Sequence, residues 1–289
     1  MAVKIGNRWM GEGYPCFIVA EIGINHNGNL EIAKKMIDAA IEAGADAVKF
    51  QKRTIDAIYT AEELAKPRES PFGVTYSDFK RGLEFGQKEY EVIDAYCRKR
   101  GILWFASCWD EESVDFIERF DPACYKIASP FLTYKNFLLY NRSKGKPIIL
   151  STGMSTMEQV EKSVEVLGKE DLVILQCVST YPTEDGELNL GVIRTLKETF
   201  PGIPIGYSGH GHGMTMGVCA AVLGACLIER HVTLDVSMWG PDQPASLEFW
   251  KFKQMITNIR RFEVALGDGT KCDLPSEAPM KRFRKKTDF

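Results

Sequence analysis

Eight short runs of nearly unbroken apolar character recur along the chain. They are CFIVAEIG (16–23), AVKFQ (47–51), LWFAS (103–107), CYKIAS (124–129), PIILST (147–152), LVILQC (172–177), IPIGYS (203–208) and CLIERHV (226–232). Runs of this length, rich in β-branched residues, mark strands buried on both faces of a parallel sheet. Between them lie amphipathic segments of helical period. In NLEIAKKMIDAAIEAG (29–44), residues Leu30, Ala33, Met36, Ile37, Ala40 and Ile41 share one face, and Gly44 stands where a C-terminal cap belongs. KEYEVIDAYCRKRG (88–101), TMEQVEKSVEVLG (156–168) and SLEFWKFKQMITNIRRFEVALG (246–267) repeat the pattern.

Eight strand–helix units in one uninterrupted α/β chain predict a (β/α)8 TIM barrel over residues 1–267. A doubly wound open sheet is the weaker alternative, because the first strand–helix turn, EIGINHNGNL, lacks the G-x-G-x-x-G of dinucleotide binders. Residues 3–14 alternate about Gly6-Asn7 and predict an N-terminal β-hairpin that plugs one end of the barrel. Residues 52–86 form a long insertion after the second strand, of the kind that serves as a lid or binding loop. Residues 268–289 read as an exposed tail or linker, whose basic cluster Lys281, Arg282, Arg284, Lys285 and Lys286 suits a solvated end.

Composition narrows the class. A length of 289 residues with 45% hydrophobic and 26% charged positions supports a large core. A net charge of -3 gives no reason to expect nucleic acid or an anionic membrane as partner. No apolar run approaches the ~20 residues of a membrane span, and the N-terminus lacks the apolar stretch of a secretory signal. Of the eight cysteines, Cys16, Cys124, Cys177, Cys219 and Cys226 sit in apolar runs, and no C-x-x-C pair occurs. Reduced core thiols in a cytoplasmic protein are the expectation.

Candidate chemistry gathers at the strand ends, where a barrel keeps its active site. Nearly every strand ends in a polar residue: Glu21; Lys49 and Gln51; Ser107; Lys126 and Ser129; Ser151; Ser179; Ser208 and His210; Glu229 and His231. Side chains two apart on a strand share a face, so Lys49 goes with Gln51, Ser208 with His210, and Glu229 with His231. Facing inward, these residues give one mouth two lysines, two histidines, several hydroxyls and at least one carboxylate. Two ammoniums among hydroxyls suit a small polyanion. A lone lysine there also fits a structural ion pair, and Lys126 suits the Schiff-base lysine of an aldolase. His210 and His231 follow strands seven and eight and are adjacent on the rim. With Glu21 or Asp242 nearby they can hold a divalent ion whose shell water or substrate completes. His212 reads as solvent-exposed, and His26 sits near the site without a derived role. The glycine-rich turn GYSGHGHG (206–213) precedes a helix and offers amides to a phosphate, a weak signal alone.

AEIGINHNG (20–28), VKFQK (48–52), YKIAS (125–129), KPIILSTGM (146–154), LQCVSTYPT (175–183), IGYSGH (205–210) and ERHVTLD with WGPDQPASLE (229–248) resemble, in order and spacing, the sialic acid synthases. The stretch TYSDFKRGLEF (75–85) looks more like the animal-type branch. The resemblance implies condensation of phosphoenolpyruvate with N-acetylmannosamine or its 6-phosphate, releasing phosphate by C–O cleavage. It implies that Lys49, Lys126, Ser129, Ser151 and Ser208 bind phosphoenolpyruvate, and that Gln51, Tyr181 and Asp242 contact the amino sugar. It further implies that His210 and His231 hold Mn2+ or Mg2+, with Glu21, His231 and Asp242 as the catalytic set. A homodimer is implied as well. Two positions depart from many bacterial members, Cys108 standing for threonine and Ser179 for asparagine. The family's usual C-terminal antifreeze-like domain, which reaches across a dimer, has no counterpart in residues 268–289. A catalytically silent sugar-phosphate-binding barrel is the remaining alternative.

Overall fold

The structure is a computed structural model that describes residues 2–285. Strands β1 (Val3–Ile5) and β2 (Arg8–Met10) pair antiparallel. β3 (Phe17–Gly23) leads to α1 (Leu30–Ala43), and β4 (Ala47–Lys52) leads into the insertion. There α2 (Ile55–Ile58), α3 (Ala61–Leu64), the hairpin β5 (Pro67–Ser70) and β6 (Gly73–Thr75), and α4 (Tyr76–Leu83) precede α5 (Gln87–Arg100). The insertion is therefore a folded subunit of the rim rather than an irregular loop. β7 (Leu103–Cys108), α6 (Glu111–Glu118), β8 (Tyr125–Ile127), α7 (Lys135–Ser143), β9 (Ile148–Ser151) and α8 (Met157–Leu167) follow. The last units are β10 (Leu172–Cys177), α9 (Val192–Thr199), β11 (Ile205–Gly209), α10 (Thr215–Val222), β12 (Leu227–Thr233) and α11 (Phe249–Leu266).

Helix ends follow the sequence signals. Asn29 accepts from the Glu31 and Ile32 amides at the start of α1, and Gly44 ends it in the left-handed conformation at φ 92°. Thr156 caps α8 in the same way through the Gln159 amide. Leu30 and Ile41 of the anticipated α1 face are half-buried, while Ala33, Met36, Ile37 and Ala40 are buried.

The strands pair in parallel in the order β3, β4, β7, β8, β9, β10, β11, β12, and β12 returns to β3, closing the eight-stranded barrel. Closure sets residues from opposite ends of the chain side by side: His231 lies opposite Glu21, and Glu21 opposite Lys49. Two apolar compartments result. Outward-facing Ile18, Ala20, Val48, Phe50, Trp104, Tyr125 and Ile148 pack under the helices. Inward-facing Phe17, Val19, Ala47, Phe105, Cys124, Ile149, Val173, Leu175 and Leu227 fill the lower barrel. Val3, Ile5 and Met10 join this inner compartment, so the hairpin plugs the N-terminal end as anticipated. Its ladder ends at Met10, and residues 11–16 form the connection to β3 rather than more hairpin.

The insertion docks on the first strand–helix loop. A Cβ at Gly28, whose φ is +67°, would lie 2.1 Å from the Gly82 carbonyl oxygen, so both glycines permit this approach. Ile24, Phe79 and Leu83, with Tyr76, form a small apolar cluster beneath α4. At the other terminus, residues 268–285 are exposed, with a 3-10 helix over Pro275–Phe283. Lys281, Arg282, Arg284 and Lys285 lie on this exposed stretch, and Lys286 lies outside the described residues. Among the described residues no helix is long and apolar enough to cross a membrane. All eight cysteines are free thiols; Cys272 is exposed and Cys219 half-buried, and the others are buried.

Ile5 is fully buried between the hairpin and the barrel interior. Ile5→Ala is expected to destabilise the fold by about 2–5 kcal/mol in denaturant unfolding. A loss under about 1 kcal/mol would show that the hairpin lies outside the cooperative core.

Candidate active site

Above Phe105, Ile149, Val173 and Leu175 the inward positions turn polar. Continuing the alternation upward, β3 presents Glu21, β4 presents Lys49 and Gln51, β7 presents Ser107, β8 presents Lys126, and β9 presents Ser151. β11 then presents Ser208 and β12 presents Glu229 and His231, with His210 one residue past β11. Together with Ser129, Cys177 and Tyr181 they line one cavity of about 230 Å³. A larger hollow of about 640 Å³ beside α6 is lined by charged side chains, Lys52, Arg53, Arg81 and Glu84 among them, and one of 440 Å³ lies near the hairpin, but neither holds an imidazole.

Four charged side chains form the floor, and each is at most 5% exposed. The Lys49 Nζ lies 2.8 Å from Glu21 Oε2 and 3.6 Å from Glu229 Oε1, and donates to Ser107 Oγ at 3.0 Å. The Lys126 Nζ donates to Ser151 Oγ at 2.7 Å and lies 3.5 Å from the same Glu229 Oε1. Ser208 donates its hydroxyl to that oxygen at 3.0 Å. Two ammoniums and two carboxylates leave the floor formally neutral.

Burial and partners pull the floor in different directions. For Lys49, burial favours the neutral amine, but Glu21 and Glu229 outweigh it and raise the pKa above its usual value. For Lys126, burial together with repulsion from Lys49 exceeds the attraction of Glu229, and the pKa falls. Burial would raise Glu229, yet Lys126 and Lys49, helped by the Ser208 hydroxyl, hold its carboxyl well below the ordinary range.

Above the floor stand the two imidazoles, with ring centroids 5.5 Å apart. The His210 Nδ1 is 2.7 Å from the Val178 carbonyl oxygen, a donor arrangement that leaves Nε2 as the acceptor nitrogen. Burial, with His231 close by, depresses the His210 pKa to about 3, so the ring is neutral. The buried His231 Nδ1 has no hydrogen-bond partner, and Asp242 Oδ2 lies 3.9 Å from it. Tyr181 is half exposed and covers His210 at a centroid separation of 4.0 Å. Gln51 donates to Glu21 Oε1 at 2.9 Å.

Every residue given a site role from the sequence except Asp242 lines this cavity; Asp242 stands on the rim beside His231. Of the at least one carboxylate expected, two are present, Glu21 and Glu229; sequence reasoning placed Glu229 on the face of His231 without giving it a role. Trp109, two residues beyond Ser107, was missed because its neighbours give no periodic signal. His26 is structural: it is buried, stacks on Phe85 at 3.9 Å, and accepts the Gly28 amide through Nδ1. His212 is exposed, as anticipated. In the glycine-rich turn, the Gly211 and Gly213 carbonyls are turned onto the buried Arg230, at 2.6 and 2.8 Å.

A closed parallel barrel whose mouth gathers ammoniums, hydroxyls, carboxylates and imidazoles around one cavity defines a (β/α)8-barrel enzyme. Residues 36–271 match the NeuB family, and the chain belongs to it. The N-acetylneuraminate-9-phosphate synthase of Homo sapiens is 41% identical over 275 residues, covering 93% of this chain and 76% of that protein. The pseudaminic acid synthase of Campylobacter jejuni is 40% identical over 284 residues, covering 92% of this chain and 79% of that one. The crystal structure of N-acetylneuraminic acid (sialic acid) synthetase from Leptospira borgpetersenii in complex with citrate superposes with a TM-score of 0.86. It is 30% identical and covers 98% of this chain and 96% of that one.

Glu229→Gln would leave both floor ammoniums facing a neutral amide. A loss of about 3–5 kcal/mol in denaturant unfolding is expected, as for a broken buried pair. A loss under about 1 kcal/mol would mean that Ser151, Ser107 and Glu21 alone hold the lysines.

Proposed function

We propose that this chain condenses phosphoenolpyruvate with an N-acetylhexosamine aldehyde, N-acetylmannosamine or its 6-phosphate, to give a nonulosonic acid and inorganic phosphate. The observation that carries the reading is the floor in which Lys49 and Lys126 share Glu229 beneath two imidazoles. Lys49, Lys126, Ser129, Ser151 and Ser208 hold the carboxylate and phosphate of phosphoenolpyruvate by charge and hydroxyl donors. Gln51, Tyr181 and Asp242 orient the amino sugar so that its aldehyde faces the enol carbon. C3 of the enol attacks the aldehyde carbon, and positive charge develops at C2. Water adds to C2, and phosphate leaves with the bridging oxygen, so phosphoenolpyruvate, aldehyde and water balance nonulosonate and phosphate. Glu21 stands 2.8 Å from the Lys49 ammonium, suited to pass a proton between the attacking water and the new alkoxide.

The imidazole pair fits a divalent ion. His210 is neutral, its Nε2 is left as the acceptor nitrogen, and the buried His231 Nδ1 lacks a partner with Asp242 close by. No three His, Cys, Asp or Glu residues converge among the described residues, so solvent or substrate completes the shell. His210 and His231 would hold Mn2+ or Mg2+, which would supply Lewis-acid polarisation of the aldehyde oxygen. Residues 1–267 act as the catalytic unit of a cytoplasmic homodimer, with 268–289 as its tail. The free cysteines support the cytoplasm, and exposed Trp250, Val264 and Leu266 on α11 support self-association.

Phosphate release from phosphoenolpyruvate is expected with at least one member of a panel of N-acetylhexosamines and their 6-phosphates, with product mass confirming addition. Silence across the panel with added Mn2+ rejects the activity and favours a binding barrel. Borohydride trapping of pyruvate on Lys126 would instead establish a Schiff-base aldolase. Lys126→Ala is expected to weaken phosphoenolpyruvate binding by at least about tenfold in calorimetry, the scale of a lost charge-assisted bond; an unchanged constant removes Lys126 from the anion site.

A further inference from the structure

Lys80, on α4, is a half-buried cation without a carboxylate. Its Nζ lies over three rings, 5.0 Å from Tyr59, 5.1 Å from Tyr76 and 5.3 Å from Phe79. Among the described residues it has no partner within ion-pair distance, although Glu84, four residues on in sequence, binds Lys52 at 3.1 Å. That same Glu84 Oε1 also accepts the Arg53 amide at 2.9 Å, so it is already committed. The charges that act on Lys80 are Arg53 and Arg68, which repel it, and then Asp242 and Glu84, which attract it.

Arg53 connects this cluster to the cavity. It is 7% exposed, its guanidinium stacks on Trp109 at 4.1 Å, and it donates to Gln51 Oε1. Gln51 and Trp109 both line the cavity. The Arg53 Nε is buried without a partner, and its closest carboxylate oxygen, Glu84 Oε2, is 4.0 Å from Nη1. Arg68 lies over Phe79 at 3.9 Å and is exposed at the outer edge. Phe79 in turn packs on Trp239, 5.8 Å between centroids, in the loop that carries Asp242. Arg53 lines the hollow beside α6 and touches the cavity wall through Gln51 and Trp109, so three cations extend from behind that wall into the insertion, and the buried one has an unused donor.

We propose that Arg53 and Lys80, with Arg68 at the edge, form a subsite for a phosphate group carried by the acceptor sugar at the end remote from its aldehyde. The inference rests on the condensation proposed above, which supplies the acceptor. A planar guanidinium beside a compact ammonium matches a tetrahedral dianion, and the surrounding rings limit solvent screening. Burial, reinforced by Arg53 and Arg68, lowers the Lys80 pKa to about 8, and a bound phosphate would restore its charge.

The test compares an N-acetylhexosamine with its 6-phosphate, by kcat/KM with phosphoenolpyruvate and by calorimetric binding without turnover. Wild type is expected to favour the phosphorylated sugar by at least about tenfold in both, and Lys80→Met to reduce that ratio about tenfold, as for a lost charge-assisted contact. Lys80→Arg is expected to keep most of it. Should Lys80→Met fail to fold, Arg53→Gln reads out the same ratio. Equal ratios in wild type, or an unchanged ratio in Lys80→Met with only a lowered Tm, overturn the subsite and leave Lys80 a cation–π post. Condensation without discrimination rejects this inference and keeps the activity. Discrimination in binding without condensation rejects the activity and keeps the subsite.

Discussion

One carboxylate oxygen of Glu229 stands 3.6 Å from the Lys49 ammonium and 3.5 Å from that of Lys126, and accepts the Ser208 hydroxyl as well. Moving a charge of this size out of water costs several kcal/mol after relaxation, and an unpaired one is intolerable in a barrel core. The two lysines can sit on the floor only because this oxygen and Glu21 face them. In turn, Glu229 stays ionised only because two ammoniums outweigh its burial. The opposite charges stabilise one another while Lys49 repels Lys126, and the hydroxyls of Ser107, Ser151 and Ser208 add further donors and acceptors. Hydrophobic replacement at these positions would cost the fold little. That charges occupy them instead is the mark of a site that handles charge.

The same constraint divides the barrel by height. Below, the inward positions are Phe17, Val19, Phe105, Ile149, Val173 and Leu175, capped by Ile5 and Met10 of the hairpin. Above, the inward strand positions are polar from Glu21 through Ser208 to His231, apart from Cys177 on β10. The apolar lower layer fixes strand positions to within a residue's breadth, because a slip of one residue would turn every charged side chain outward under the helices. The polar layer is therefore held in place by packing it takes no part in. The insertion adds a third level, seated on the first strand–helix loop through the Gly28–Gly82 approach.

Strands and helices were legible because both faces of each strand are buried and each helix carries an apolar stripe, patterns that survive in one dimension. The inward set was legible for a related reason. Residues two apart share a face, so Lys49 with Gln51 and Glu229 with His231 could be paired before their direction was known. What the sequence hides is adjacency created by closure. Glu21 and His231 are neighbours only because β12 returns to β3, and Glu229 meets Lys126 only across the barrel's width. Hence the second floor carboxylate was seen as a strand-end residue but not as the keystone between the lysines. Asp242 was named as a neighbour of the imidazoles, with the sugar contact added by the resemblance, and its position on the rim follows from the loop after β12, which no periodicity describes. Lys80 and Arg53 escaped notice because a lysine inside an amphipathic segment and an arginine after a strand look like ordinary solvated charges.

Charge balance then bears on what the cavity can hold. With two ammoniums and two carboxylates the floor is neutral, so a ligand bearing both a carboxylate and a phosphate gains nothing from net charge there. Two unit charges 4 Å apart interact by about 4 kcal/mol at the effective dielectric of a protein surface, and attraction and repulsion on such a floor largely cancel. Affinity has to come from asymmetry: the lysine and serine donors nearer the ligand than the carboxylate oxygens, and further cations above the floor. The imidazole pair can supply one through a divalent ion. The insertion supplies the others in Arg53, Lys80 and Arg68; the carboxylates acting on Lys80 are Asp242 on the rim and Glu84, which is engaged by Lys52. A neutral floor beneath a cationic lip draws an anion inward without trapping it, which suits an enzyme that must release phosphate as readily as it binds a phosphorylated substrate.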